Sequence, residues 1–317
     1  MPGLLQRRLI FVTGKGGVGK STVATALGLL AARSGLRTIV AEMAGQDHIR
    51  HTFGYDGEIF QEVQIAERLF TISVDPQHAM EEYLKVKTGT VGQALGSTRI
   101  FQAFAMATPG MRELLSVGKV WELSQHERRT GDADAYDLVI VDSPAAGHGV
   151  GILRTPRTFA DIARVGPIAH QGRAIASTIA DPDFTAVVAV STAEEMPVNE
   201  TLWLQEALAA EQLPLDNVIV NARYPERFAA GERATLERAR ERAGSPQAAA
   251  ALAAALSEQA RAESQGEQLE RLRDGLGMPL IELPYLFAEQ VGPNELEVLA
   301  DALDHGLRET APVAVRP

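Results

Sequence analysis

The 317-residue chain contains no cysteine. Disulfides, iron–sulfur clusters and thiolate zinc sites are therefore excluded, and any metal chemistry must rely on oxygen or imidazole ligands. A cytoplasmic location is compatible with that composition and is expected. Lysine is scarce too, limited to Lys15, Lys20, Lys85, Lys87 and Lys119. Nowhere do eighteen apolar residues run together, so no transmembrane helix is expected. The short apolar run Leu9 to Val12 is too brief to read as a signal peptide. A net charge of −11, with no concentration of basic residues, argues against a general nucleic-acid partner.

What is present points to an α/β fold. Hydrophobic residues make up 45% of the chain, enough for one sizeable domain. Short, nearly continuous apolar runs occur at Leu9 to Thr13, Thr38 to Ala41, Leu69 to Val74, Leu138 to Val141, Ala186 to Val190, Asn217 to Val220 and Leu280 to Leu283, with helical stretches between most of them. Strands buried on both faces of a parallel sheet read this way. The expected architecture is a doubly wound, mainly parallel sheet flanked by helices, with ligands at the carboxyl ends of the strands. One domain is expected over 1–309, with a helical insertion at about 76–130 and a helical hairpin at about 225–277. Residues 310–317 are expected to form a loose tail.

The string Gly14-Lys15-Gly16-Gly17-Val18-Gly19-Lys20-Ser21-Thr22 fits G-x-x-x-x-G-K-[ST] and sits after an apolar strand and before a helix. Glycines let successive N–H groups face phosphate oxygens, and the helix beginning near Lys20 adds its positive end. This pattern predicts ATP with Mg²⁺: Lys20 on the β- and γ-phosphates, Thr22 near the α-phosphate, and the Ser21 hydroxyl on the hard cation. The strand Leu138 to Val141 ends in Asp142, placed to hold the magnesium shell.

Lys15, after the first glycine, makes this loop resemble the deviant Walker class of dimeric P-loop ATPases. Ser143-Pro144-Ala145-Ala146-Gly147-His148 is similar to the D-T-A-P-T-G-H switch of the arsenical-pump and tail-anchored-protein targeting ATPases, and Pro109-Gly110-Met111-Arg112-Glu113 resembles their P-G-x-x-E segment. The chain looks like a cysteine-free, bacterial-type member of that family. The resemblance implies that Lys15 reaches the partner's phosphates across a homodimer or heterodimer, and that the Gly147 amide senses the γ-phosphate. It also implies that Asn221, with Pro284, Tyr285 and Leu286 after the last strand, meets adenine; an amide suits that base's edge.

The resemblance breaks at switch I. Where the family carries the aspartate of D-P-A-H, an ungapped alignment anchored on Phe53-Gly54 puts Ala44, with Gly45 at the proline. Glu42 and Asp47 flank this position and are candidate substitutes for orienting water. Hydrolysis is expected to be slow or partner-dependent. Ile100, Phe101, Phe104, Met106, Met111, Leu114, Leu115, Val117, Val120, Trp121 and Leu123 make the insertion apolar, which suits a hydrophobic protein client or a membrane-associated partner. The alternatives are a regulatory pseudo-ATPase and a positioning switch of the MinD or ParA kind. No zinc and no nucleic acid are expected.

Overall fold

The computed structural model describes residues 3–43, 47–85, 108–129, 133–163, 166–229 and 231–310. Its strands are β1 (Leu9–Gly14), β2 (Thr38–Glu42), β3 (Val63–Ala66), β4 (Leu69–Ser73), β5 (Leu138–Asp142), β6 (Thr185–Thr192), β7 (Asn217–Arg223) and β8 (Leu280–Pro284). Among the described residues they form one eight-stranded sheet in the order β3-β4-β2-β5-β1-β6-β7-β8. Every neighbouring pair is parallel except the β3–β4 hairpin.

All seven apolar runs form strands, and β3 is an eighth that apolarity does not mark. Val63-Gln64-Ile65-Ala66 alternates, with only Ile65 buried, because β3 is an edge strand with one face toward solvent.

Period-two alternation divides the central strands between two cores. Leu9, Phe11, Ile39, Ala41, Val139, Val141, Val187 and Ala189 face one side, whereas Ile10, Val12, Val40, Leu138, Ile140, Val188 and Val190 face the other. On the second face lie α1 (Lys20–Arg33) and the helix at Pro293–Thr310. The first face is covered by helices at Met111–Leu123, Ala146–Ala163, Pro167–Ala180 and Glu195–Ala210, and by the end of Pro246–Leu276. Both faces are dry, which accounts for strands apolar at nearly every position.

Between β4 and β5 the chain is helical at 76–85 and at Met111–Leu123. Asp75 starts the first of these, its Oδ1 accepting from His78 N at 2.9 Å. Gly110, in the left-handed region at φ 78°, starts the second. The insertion candidates Ile100, Phe101, Phe104 and Met106 lie outside the described residues. A buried charge network fastens this region to the sheet edge. Lys119 Nζ donates to Glu82 at 2.8 Å and to Glu122 at 3.2 Å, while Arg128 donates to Glu62 at 2.7 Å and Glu122 at 2.8 Å. The Tyr136 hydroxyl also donates to Glu62, at 2.7 Å. Burial alone would raise the Glu122 carboxyl, but hydrogen bonds from Arg128 and the charge of Lys119 hold it below its ordinary value.

The hairpin is built from Arg233–Glu241 and the 31-residue helix Pro246–Leu276. Ser245 caps the longer helix by accepting from Ala248 N at 3.1 Å, with Pro246 in its first turn. Arg233 bridges the two helices to Glu263 at 3.1 Å. At the other end of the chain, the last helix includes Thr310, one residue past the boundary expected for the tail; 311–317 lie outside the described residues.

Candidate nucleotide-binding site

β1 stops at Gly14, and residues 15–19 turn the chain into α1. Two glycines are required here. A Cβ on Gly14 would lie 2.0 Å from the Val190 carbonyl oxygen, because β1 and β6 approach closely at this level. A Cβ on Gly19, whose φ is +88°, would lie 2.4 Å from Asn221 Nδ2. Gly16 and Gly17 are exposed at the loop tip, while Val18 is buried beneath it. Gly19 brings no side chain to cap α1, so the first-turn N–H groups and the helix dipole form an anion site at Lys20, Ser21 and Thr22.

Parallel pairing brings the end of β5 under this loop, with Val12 opposite Asp142. Ser21 Oγ donates to Asp142 Oδ2 at 2.5 Å. Asp142 is 2% exposed, yet among the described residues its Oδ1 has no hydrogen-bond partner, and neither have the buried Thr13 and Ser143 hydroxyls. Orphaned buried oxygens beside an anion site are what a hard, hydrated cation would satisfy, so the donor set fits Mg²⁺. Burial raises the Asp142 carboxyl, opposed by the Ser21 hydrogen bond and the charges of Lys20 and His48.

Both loop lysines are engaged by the protein's own oxygens. Lys20 Nζ donates to the Lys15 carbonyl at 3.0 Å, and its pKa is lowered by burial, with Asp142 and Glu200 opposing. Lys15 Nζ lies 3.1 Å from Glu200 Oε2 on the helix Glu195–Ala210.

Ala44 and Gly45 lie outside the described residues, but the two flanking carboxylates do not. Glu42, fully buried at the end of β2 and paired in register with Asp142, accepts from His48 N at 2.8 Å and Ile49 N at 3.2 Å. Burial, with Asp142 and Asp47 nearby, pushes it up to about 7 despite those two N–H groups. Asp47 accepts from Arg50 and lies 3.6 Å from His51. Glu42 therefore ties the chain after β2 to the sheet, and Asp47 pairs with Arg50. Gly147 is the second residue of Ala146–Ala163 and is exposed, in a first turn where His148 N and Gly149 N both donate to the Ala145 carbonyl at 2.9 Å.

At the far edge, Asn221 Nδ2 donates to the Val18 carbonyl at 3.0 Å, so this amide also holds the phosphate loop. Pro284 ends β8, Leu286 packs on the core under α1, and Tyr285 N donates to the Arg223 carbonyl at 2.8 Å. The Tyr285 ring stacks on Tyr224 at 4.3 Å, with Phe287 edge-on to it at 5.0 Å. Rings that close leave no slot for a base between them; a base would use an outer face, beside a cavity of about 460 Å³ lined by Arg223, Tyr224, Tyr285 and Phe287. Tyr224 and Phe287 escape motif reading, although each sits within three residues of a position that does not. Nothing local in the sequence marks Glu200, since its role depends on a partner 185 positions away.

A strand, a glycine loop, a helix N-terminus and a carboxylate ending the adjacent strand together define a P-loop nucleotide-binding protein. Residues 7–166 and 160–243 match the family model described as anion-transporting ATPase, and the chain belongs to this ArsA ATPase family. It is 32% identical over 225 residues to ATPase BagA of Mycobacterium tuberculosis, covering 69% of this chain and 66% of that protein. It is 26% identical over 250 residues to ATPase GET3 of Eremothecium gossypii, covering 67% of this chain and 70% of the relative. The chain thus spans just under two thirds of the mycobacterial relative.

Proposed function

We propose that the protein is a cytoplasmic, magnesium-dependent ATPase that works as a nucleotide-gated dimer with a second copy or a related chain. The observation that carries this reading is the position of Lys15 at the tip of a complete phosphate loop, on the same side as an exposed apolar helix face. Met196, Glu200 and Trp203 share one face of Glu195–Ala210, and Met196 and Trp203 are 63% and 48% exposed. An apolar face beside a partly exposed cation is suited to a partner subunit. Ser21 and Asp142 would hold Mg²⁺, which when bound neutralises phosphate charge. Lys20 and the first-turn amides of α1 would bind the phosphates, and Asn221 with the aromatic edge would seat the base. Replacing Lys15 with alanine is expected to leave ATP binding largely intact and abolish turnover; full turnover by the variant refutes the role.

The work done with this switch, on our reading, is the handling of hydrophobic protein segments or of a membrane-associated partner. An apolar cavity of about 220 Å³ supports it, lying between 76–85, Met111–Leu123 and Pro167–Ala180 and lined in part by Met80, Leu84, Met111, Leu114, Leu115 and Ile175. By contrast, Val117, Val120, Trp121 and Leu123 belong to the core and serve packing. A second reading, a regulatory switch with little hydrolysis, is favoured by one observation: Glu42 and Asp47 are both engaged by neighbouring donors. Steady-state phosphate release, measured alone and with captured partners, separates the two; absence of turnover in both settings removes the enzyme.

A further inference from the structure

The cation expected to act on another subunit's phosphates lies against a carboxylate of its own chain. Lys15 Nζ and Glu200 Oε2 are 3.1 Å apart, with side chains 31% and 26% exposed. The contact runs from the loop tip to the Glu195–Ala210 helix, on the face that exposes Met196 and Trp203. Lys20 is turned in as well, its Nζ bonded to the Lys15 carbonyl. Both lysines of the loop thus have oxygen partners within the chain.

We propose that Glu200 is a positioning residue that retains Lys15 in cis until the triphosphate held by a partner subunit draws it away. This rests on the reading of Lys15 as a lysine that crosses the dimer interface. A carboxylate carries one negative charge and Mg-ATP more than one, so the exchange favours the nucleotide. Partly exposed pairs are weak, so Glu200 sets a threshold and does not lock the loop; removing it should change the balance by about two- to fivefold. When a partner covers the Met196–Trp203 face, water leaves, and Glu200 must remain wetted or find a new donor. The threshold therefore lies on the step that joins nucleotide binding to association.

The test uses the full chain as wild type, Glu200→Gln, Glu200→Asp, Lys15→Ala and the double variant Lys15→Ala/Glu200→Gln. Acetylation rates of individual lysines, read by mass spectrometry without nucleotide, report the cis contact, and Lys85, Lys87 and Lys119 are internal controls. The expected result is a roughly two- to fivefold faster reaction at Lys15 in Glu200→Gln, an intermediate rate in Glu200→Asp, and no change at the three control lysines. Sedimentation against ATP concentration should show half-maximal dimerisation at correspondingly lower ATP in Glu200→Gln, with no such shift in the Lys15→Ala background. Unchanged Lys15 reactivity overturns the proposal, as does a dimerisation shift that persists without Lys15. If wild type dimerises and Lys15→Ala stops turnover while Glu200→Gln alters nothing, Glu200 is idle and the dimer reading stands. If Lys15 reactivity rises but wild type stays monomeric at saturating ATP, the dimer reading fails and the gating role falls with it.

Discussion

The Ser21 hydroxyl donates to Asp142 Oδ2 at 2.5 Å, joining the first turn of α1 to the end of β5 across 121 residues, while Asp142 Oδ1 remains buried without a partner. One carboxylate thus has one oxygen satisfied by the protein and one left for a cation. Its charge is unfavourable to the empty fold, since burial raises its pKa.

Asp142→Asn should therefore separate stability from function. The variant should weaken magnesium-dependent nucleotide binding by at least about tenfold, roughly 1.4 kcal/mol. Thermal unfolding of the nucleotide-free variant at pH 8 should be no lower than wild type. Isothermal titration with and without Mg²⁺, beside a melting curve, checks both; a large loss of stability would show that Asp142 serves the fold.

Asn221 offers a second separation. Its Nδ2 bonds the Val18 carbonyl, so Asn221→Ala should loosen the loop and weaken ATP and GTP alike, by about fivefold for a hydrogen bond worth about 1 kcal/mol. Any additional loss confined to ATP measures the share of Oδ1 in reading adenine. Competition binding with both nucleotides provides the comparison.

Arg128, 1% exposed, neutralises Glu62 and Glu122 together. Arg128→Ala would remove the guanidinium that Glu62 and Glu122 share, leaving Glu122 to Lys119 and Glu62 to the Tyr136 hydroxyl, and should destabilise the fold by about 3 kcal/mol. Denaturant titration at pH 7 measures this. Lowering the pH towards 4 should recover part of the loss as Glu62 and Glu122, without Arg128, take up protons.

Glu42 predicts a slope of stability with pH. Its carboxyl rises from 4.5 to about 7 on folding, so the folded state binds the extra proton between those values. The stabilisation is complete below the unfolded pKa and is lost as pH rises through about 7. This amounts to roughly 3 kcal/mol, by the conversion of pKa shift to free energy. Glu42→Gln should flatten the curve between pH 5 and 7.5 in denaturant melts; an unchanged slope would assign it to another group.

Legibility in the sequence varied with how local the cause was. The phosphate loop was readable because its glycine and lysine spacing is local and a strand and a helix flank it, although the atoms that demand glycine at 14 and 19 belong to Val190 and Asn221, far along the chain. Seven strands were readable because two dry faces make them apolar throughout. β3 was not, since an edge strand needs only Ile65 buried. Glu42 and Asp47 were visible as carboxylates beside switch I, but not as groups already occupied by His48, Ile49 and Arg50. Their partners are determined by how the chain turns after β2.

Composition and spacing alone established a cysteine-free α/β chain with a complete phosphate loop, a strand-terminal Asp142 and a lysine at the loop tip. These rest on short-range sterics, helix polarity and period-two burial, which operate over a few residues. Only the tertiary structure decided that Asn221 braces Val18, that Tyr224 closes on Tyr285, that Asp142 keeps one oxygen unpaired, and that Glu200 holds Lys15. Each of these depends on which strand lies beside which, and a parallel sheet makes that choice through crossovers that set residues far apart in sequence side by side.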